Sequence, residues 1–122
     1  MEYVGPGGDV MIPDTVTVIG VEAFAGCETL KTVTIPDSVT RIRGCAFESC
    51  RNLEMVTISD SVTDIGVAAF GDCRKLRVVK MGGSDIEIHF PFHRSPHVTI
   101  HAPAGSCAEK YAKENNIPFV AE

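Results

Sequence analysis

The chain has no tryptophan, only 2 tyrosines among its 122 residues, and fewer basic than acidic side chains. Lys and Arg number 11 against 16 Asp and Glu, which gives a net charge of −5. Nucleic-acid binders need a dense basic footprint that displaces counterions from the phosphates. We therefore expect no nucleic-acid partner.

Long apolar runs are also missing. No stretch approaches the roughly 18–20 residues that a membrane-crossing helix needs. The opening residues, MEYVGPGGDV, carry neither the basic nor the apolar region of a secretory signal. We expect no membrane insertion and no signal peptide in this chain. A hydrophobic content of 44% with 22% charged residues is typical of a folded globular chain.

What the sequence does contain is one unit, present three times. Residues 12–34, 35–57 and 58–80 are each 23 residues long, and ten of the 23 positions carry the same residue in all three. Self-similarity at a period of roughly 20–30 residues predicts a solenoid, in which each unit buries its apolar side against the next.

Each unit divides into three short elements. The alternating end, Val33-x-Ile35 in the first unit, predicts a strand with one side in the core. The Val-Thr-x-Ile piece near its start predicts a second strand. The Ala23-Phe24-x-x-Cys27 piece predicts one turn of helix, because its apolar residues are three positions apart. Stacked coils would join the strands into parallel sheets.

The segments outside the three repeats predict caps and a weaker repeat. Residues 1–11 read as an N-terminal cap segment, and residues 81–104 as one or more degenerate repeats. Residues 105–122 read as a helix–strand cap, in which Ser106 and Glu109 form a capping box. The predicted helix ends near Asn115 and Asn116, before Pro118. Such caps protect the open edges of an array.

The repeated pattern, Ile-Pro-x-Ser-Val-Thr-x-Ile-Gly-x-x-Ala-Phe-x-x-Cys-x-x-Leu-x-x-Val-x, resembles the BspA-like class of bacterial leucine-rich repeats. The resemblance covers residues 12–81 closely, with Arg43 in place of the bend glycine and Ser59 in place of proline. Members of this class are typically parts of secreted or surface-displayed proteins and are associated with adhesion. The resemblance implies a non-catalytic binding module and transfers no catalytic residue. We also expect no cofactor and no bound metal.

Five cysteines stand out, and three of them, Cys27, Cys50 and Cys73, share one column of the repeat. We interpret this column as a ladder of buried thiols, because cysteine is a good small core residue. A disulfide or a metal site is the alternative. Cys45 is expected at or near the surface, and Cys107 in the cap.

Four histidines, His89, His93, His97 and His101, recur every four residues. Two prolines exclude a helix in this segment, and on extended chain neighbouring histidines lie too far apart to share one metal ion. We interpret them as incidental surface residues, with a metal-dependent enzyme as the less favoured alternative. The repeated turn aspartates at positions 14, 37 and 60 are interpreted as turn residues and not as a Ca²⁺ ladder.

The remaining candidates are outward positions on the predicted strands. Such positions can form a recognition face or simply a solvated sheet surface, for which threonine is well suited. Apolar residues among them favour contact with a partner. The candidate residues are Thr32, Thr34, Met55, Thr57, Val78, Lys80, Arg41 and Asp64.

The sequence thus predicts an α/β repeat protein: a short right-handed leucine-rich-repeat solenoid with parallel sheets, short helical turns and a C-terminal helical cap. Its predicted function is protein or glycan recognition at a bacterial surface or in secreted form, with an extracellular protein or glycan as partner. The alternative function is a structural spacer in a longer repeat protein.

Overall fold

The computed structural model describes residues 8–83 and 85–122, and shows a parallel β-solenoid of about five turns with one short C-terminal helix. Ser84 and residues 1–7 lie outside the described part, so the predicted cap segment 1–11 is described only from Gly8 onward. The right-handed winding stays a prediction.

Two parallel sheets run along the stack. The six-stranded sheet contains, in spatial order, β1 (Asp9–Met11), β3 (Thr32–Ile35), β5 (Met55–Ile58), β7 (Val78–Lys80), β9 (Thr99–Ala102) and β10 (Phe119–Ala121). The four-stranded sheet contains β2 (Val18–Ile19), β4 (Arg41–Ile42), β6 (Asp64–Ile65) and β8 (Glu87–Ile88). Val33 pairs with Val56 and Val56 with Val79, so the sequence period sets the register.

The core lies between the two sheets and is built from columns of equivalent residues. Leu30, Leu53 and Leu76 are all 0% exposed. Phe24, Phe47 and Phe70 stack with ring centroids 5.1 and 5.2 Å apart and nearly parallel planes. Because each ring covers the next, every coil buries its apolar side only through its neighbours, as expected for a solenoid.

The Ala-Phe-x-x-Cys segments are tight turns, so the predicted short helical turns are wrong. Within the first segment, the amide of Cys27 donates to the carbonyl of Phe24 at 3.2 Å, three residues back. The amide of Phe24 itself donates to Ala46 of the next coil at 2.7 Å. Glu22 and its equivalents Cys45 and Ala68 have φ of 57–58°. This left-handed conformation breaks a right-handed helix.

The bend position before these turns shows why a glycine is required in only one coil. A Cβ on Gly66 would lie 2.6 Å from the backbone nitrogen of Gly44, whereas a Cβ on Gly20 would meet no atom of the described residues within 4 Å. Gly20 lies in the first described coil, with no earlier described coil beneath it, and the same column holds Arg43 in the second coil. The close approach of backbones therefore selects glycine at position 66 specifically.

Residues 81–102 form a fourth coil with the same parts as the first three. Ile88 pairs with Ile65 at the full period, but Ile100 pairs with Val79, two residues short of it. The ring of Phe92 stacks on Phe70 at a centroid distance of 6.0 Å. This coil is thus two residues shorter than the 23-residue unit, but the core columns continue through it.

The C-terminal cap agrees with its prediction. Helix α1 (Cys107–Glu114) has Ser106 as its N-cap, and the Ser106 hydroxyl accepts a hydrogen bond from the amide of Glu109 at 3.2 Å. The Glu109 carboxylate accepts one from the amide of Gly105 at 2.7 Å. This contact, with the Lys113 ammonium as a second partner, lowers the pKa of the Glu109 carboxyl. Strand β10 then extends the six-stranded sheet beside β9.

Candidate binding surfaces

The outer side of the six-stranded sheet, here called the main-sheet face, carries six of the eight candidate residues. Thr34 is exposed, and the other five, Thr32, Met55, Thr57, Val78 and Lys80, are half-buried. Their inward neighbours Val33 and Val56 are 1% and 0% exposed, as the alternation predicted. The half-burial of Met55 and Val78 makes the apolar area here smaller than the sequence suggested.

Pairing adds residues to this face that the sequence analysis missed. Met11, 74% exposed, lies beside Thr34 in the sheet, and Val120, 43% exposed, lies beside His101. The Thr32 hydroxyl donates to the Asp9 carboxylate at 2.7 Å, and His101 Nδ1 lies 3.1 Å from Glu122 Oε2. The sequence signal for Met11 was its place one period before Thr34, whereas Val120 follows the helical cap and carries no period.

Arg41 and Asp64 lie elsewhere, on the outer side of the four-stranded sheet. They pair side by side in β4 and β6, and Arg41 Nε lies 3.6 Å from Asp64 Oδ2. Glu87 of β8 is the next residue in the same row. The eight candidates therefore do not form one surface: they belong to two faces on different sheets.

Among the residues that the structure describes, His89 is the one histidine that belongs to a cluster of possible metal ligands. Its Nε2 atom lies 3.2 Å from Asp64 Oδ1 and 3.5 Å from Glu87 Oε2. His93 and His97 are exposed and His101 is half-buried. The i, i+4 spacing of the histidines gave no indication of this cluster. A usable signal was present: Glu87 lies one full period after Asp64, and His89 lies two residues further along, on the same side of the chain.

The thiol column is confirmed for its two inner members. Cys50 and Cys73 are 0% exposed, and their thiols donate to the carbonyls of Phe24 and Phe47 at 3.1 and 3.2 Å. Burial raises the pKa of both thiols to about 12. Cys27 at the outer end of the column is half-buried. Thiols with so high a pKa are protonated at neutral pH and are therefore poor nucleophiles.

Ser95 continues this column in the fourth coil. The sequence analysis did not recognise this residue as a member of the column. Its side chain is buried, and its hydroxyl donates to the carbonyl of Phe70 at 2.6 Å. The amide of Cys73 donates to the same hydroxyl at 2.9 Å. The signal was available as Phe92-x-x-Ser95, which repeats the Phe-x-x-Cys spacing with oxygen in place of sulfur.

An apolar groove of about 530 Å³ lies between the fourth coil and the C-terminal cap. Its walls include Phe90, Phe92, Pro96, Tyr111 and Ile117. Phe90 is 70% exposed at a φ of 47°, and neighbouring Val67 is 60% exposed. Burial raises the pKa of the Tyr111 hydroxyl, which lies at this groove.

Comparison with known proteins identifies the repeat. A family profile described as "BspA type Leucine rich repeat region (6 copies)" matches residues 8–100. The structure resembles a leucine-rich repeat protein from T. pallidum, with a TM-score of 0.60 and 23% identity over 81% of this chain and 60% of that one. It also resembles the pneumococcal vaccine antigen PcpA, with a TM-score of 0.54 and 12% identity over 98% of this chain and 43% of that one. Both likenesses concern the fold.

The chain spans less than two thirds of either of these solved proteins. A comparison with curated protein sequences gives no significant match. Among the described residues, no helix is long and apolar enough to cross a membrane.

Proposed function

The chain belongs to the BspA-type leucine-rich repeat family, whose members typically catalyse no reaction, and from that premise we propose that it is a recognition module of a bacterial cell-surface or secreted protein. Its partner is an extracellular protein or glycan, bound without chemical change. One of the two similar structures is a vaccine antigen; at 12% identity it contributes only its fold to this proposal.

The observation that carries the proposal is the main-sheet face. Six parallel strands present a continuous surface on which threonine, valine and methionine alternate with few charges. Threonine and valine have stiff side chains, so little rotamer entropy is lost when a partner covers them. A partner would contact several strands at once, and affinity would be shared among many weak positions.

A structural spacer is the second candidate, and one observation favours it. Met55 and Val78, the apolar centre of the main-sheet face, are half-buried, so the apolar surface offered to a partner is small. Single apolar residues on a surface are common in proteins that bind nothing there.

A binding screen separates the two candidates. The purified chain is tested against extracellular-matrix proteins and a glycan panel, together with a Met55→Glu/Val78→Glu double variant. Val18→Glu on the four-stranded sheet is the matched control, since Val18 is 39% exposed and also lies on a strand. Circular dichroism checks that each variant folds.

A saturable partner that is lost in the double variant and kept in Val18→Glu supports recognition through the main-sheet face. A third variant, Val67→Glu, changes an exposed residue that lines the apolar groove. A partner lost only in this variant would move the binding site to the groove and refute the assignment of the face. A folded protein with no partner in the screen would favour the spacer.

A further inference from the structure

We propose that Asp64, Glu87 and His89 form a binding site for a divalent transition-metal ion of the Zn²⁺ class on the four-stranded sheet. One ligand atom from each residue lies within 4.8 Å of the other two. The site does not depend on which partner the protein binds, and it would add an ion-dependent property to an otherwise non-catalytic repeat.

The sheet itself creates the grouping. Asp64 and Glu87 are partners in the parallel strands β6 and β8, so their side chains leave the same face of the sheet next to each other. His89 lies two residues after Glu87, and residues i and i+2 of an extended chain project to the same side. The amide of His89 donates to the carbonyl of Ile65 at 3.0 Å, which holds the histidine backbone in line with the strands.

The spacing of the donor atoms fits a metal ion. Around a tetrahedral ion with ligand distances of about 2.1 Å, neighbouring donors lie about 3.4 Å apart. His89 Nε2 lies 3.2 Å from Asp64 Oδ1 and 3.5 Å from Glu87 Oε2. The two distances bracket the tetrahedral value, and the Asp64 and Glu87 oxygens lie within 4.8 Å of each other. Movement of these two side chains towards a common centre would allow an ion to be bound.

A second observation concerns the carboxylate oxygen that faces the histidine. Asp64 Oδ1 is buried and receives no hydrogen bond from any of the described residues, although Nε2 lies close to it. A buried carboxylate oxygen without a donor is unfavourable, and a cation would satisfy it. Arg41 lies 3.6 Å from the other oxygen, Oδ2, which leaves Oδ1 directed towards the histidine.

The donor set indicates the class of ion. One imidazole nitrogen with two carboxylate oxygens suits Zn²⁺ and its neighbours in the first transition row better than Ca²⁺, which prefers six or more oxygens. The exposed side of the cluster, where the side chain of Glu87 is 78% accessible, leaves room for water or for a ligand atom of a partner.

The test is a calorimetric titration of the chain with Zn²⁺ at neutral pH. Because thiolates bind zinc, it is made in a Cys45→Ser/Cys107→Ser background that removes the two half-buried thiols outside the cysteine column. We expect one Zn²⁺ per chain. His89→Ala should weaken binding by at least about tenfold, since even indirect partners of a metal site contribute that much, and Glu87→Gln should weaken it as well.

His97→Ala is the matched control, because His97 is also exposed and lies in the same coil. It should change the affinity by less than about twofold, because a surface substitution outside the cluster usually has an effect within about 0.5 kcal/mol. In the NMR spectrum of the histidine ring nitrogens, zinc should shift Nε2 of His89 as the bound nitrogen. Absence of saturable binding in the cysteine-substituted protein, equal losses in His89→Ala and His97→Ala, or binding through Nδ1 of His89 would each overturn the proposal.

Discussion

Replacing Ser95 by alanine should destabilise the solenoid by about 1–3 kcal/mol. Its buried hydroxyl donates to the carbonyl of Phe70 at 2.6 Å and accepts from the amide of Cys73 at 2.9 Å. A buried polar group left without a partner costs about 1–3 kcal/mol. In the variant, the Cys73 amide can regain a weaker hydrogen bond by donating to the carbonyl of Phe70, as the Cys50 amide donates to the carbonyl of Phe47 at 3.4 Å. The expected loss is a large share of the roughly 5–15 kcal/mol of a typical domain.

Ser95→Cys is the matched variant, because it places in the fourth coil the residue that the other coils carry. A thiol keeps the donor and adds volume, so we expect a loss of about 1 kcal/mol or less. Urea unfolding followed by far-UV circular dichroism measures both, since the chain has no tryptophan for fluorescence. The reasoning fails if Ser95→Ala stays within about 0.5 kcal/mol of the parent protein, the usual effect of a neutral surface change. It also fails if Ser95→Cys is as unstable as Ser95→Ala.

Three further predictions concern the core, the bend and the cap. Burial raises the pKa of the Cys50 and Cys73 thiols from 9.0 to about 12, so the folded state binds these protons more tightly than the unfolded state does. These thiols should not affect the free energy of unfolding below pH 9. Between pH 9 and 12 they should lower it by up to about 1.4 kcal/mol per pH unit for each thiol. Urea unfolding across this range should show a steeper decline in the parent protein than in a Cys50→Ala/Cys73→Ala protein. Gly66→Ala should lower the free energy of unfolding by about 1–3 kcal/mol, because its Cβ would lie 2.6 Å from a backbone nitrogen. Gly20→Ala should be nearly neutral. Equal melting temperatures of the two variants would contradict this reasoning. Ser106→Ala should cost about 1 kcal/mol through loss of the helix cap, and thermal unfolding should show Ser106→Thr losing less.

The sequence was sufficient for the architecture because the period fixes the register. When Val33, Val56 and Val79 recur at one interval, stacking places them in one inward column, and that is where the structure has them. The alternation of inward and outward residues follows from the strand itself. Family, sheets, core columns and C-terminal cap could therefore all be predicted without coordinates.

The turns could not be predicted from spacing alone. Apolar residues three positions apart fit one turn of helix, but they fit a pair of tight turns equally well. The difference lies in the left-handed φ of Glu22, Cys45 and Ala68, none of which is glycine. Inter-coil hydrogen bonds hold these residues in an unfavourable conformation, and a single coil read by itself shows no sign of them.

The sequence analysis treated residues 81–104 only as degenerate repeats and did not recognise the histidine cluster, for a related reason. Two deleted residues separate the pairing of Ile100 from the 23-residue period, so the coil looks degenerate although its core is intact. His89 belongs with Asp64 of the preceding coil, 25 positions earlier. The histidine contacts a residue of the neighbouring coil, whereas the four-residue spacing of the histidines relates positions along the chain.

The contrast between inward and outward columns limits where the function can lie. In the four-stranded sheet the inward column is Ile19, Ile42, Ile65 and Ile88, whereas its outward neighbours are Val18, Arg41, Asp64 and Glu87. An inward side chain touches both adjacent coils, so a change there disturbs two interfaces. An outward side chain contacts mainly the neighbouring side chains of its own row, so its substitution changes the free energy of unfolding little. Chemical diversity in this fold is therefore confined to the outward rows. The proposed metal site takes Asp64 and Glu87 from this outward row, in which each of the four coils has a different residue, and the proposed recognition face lies in the rows of the other sheet.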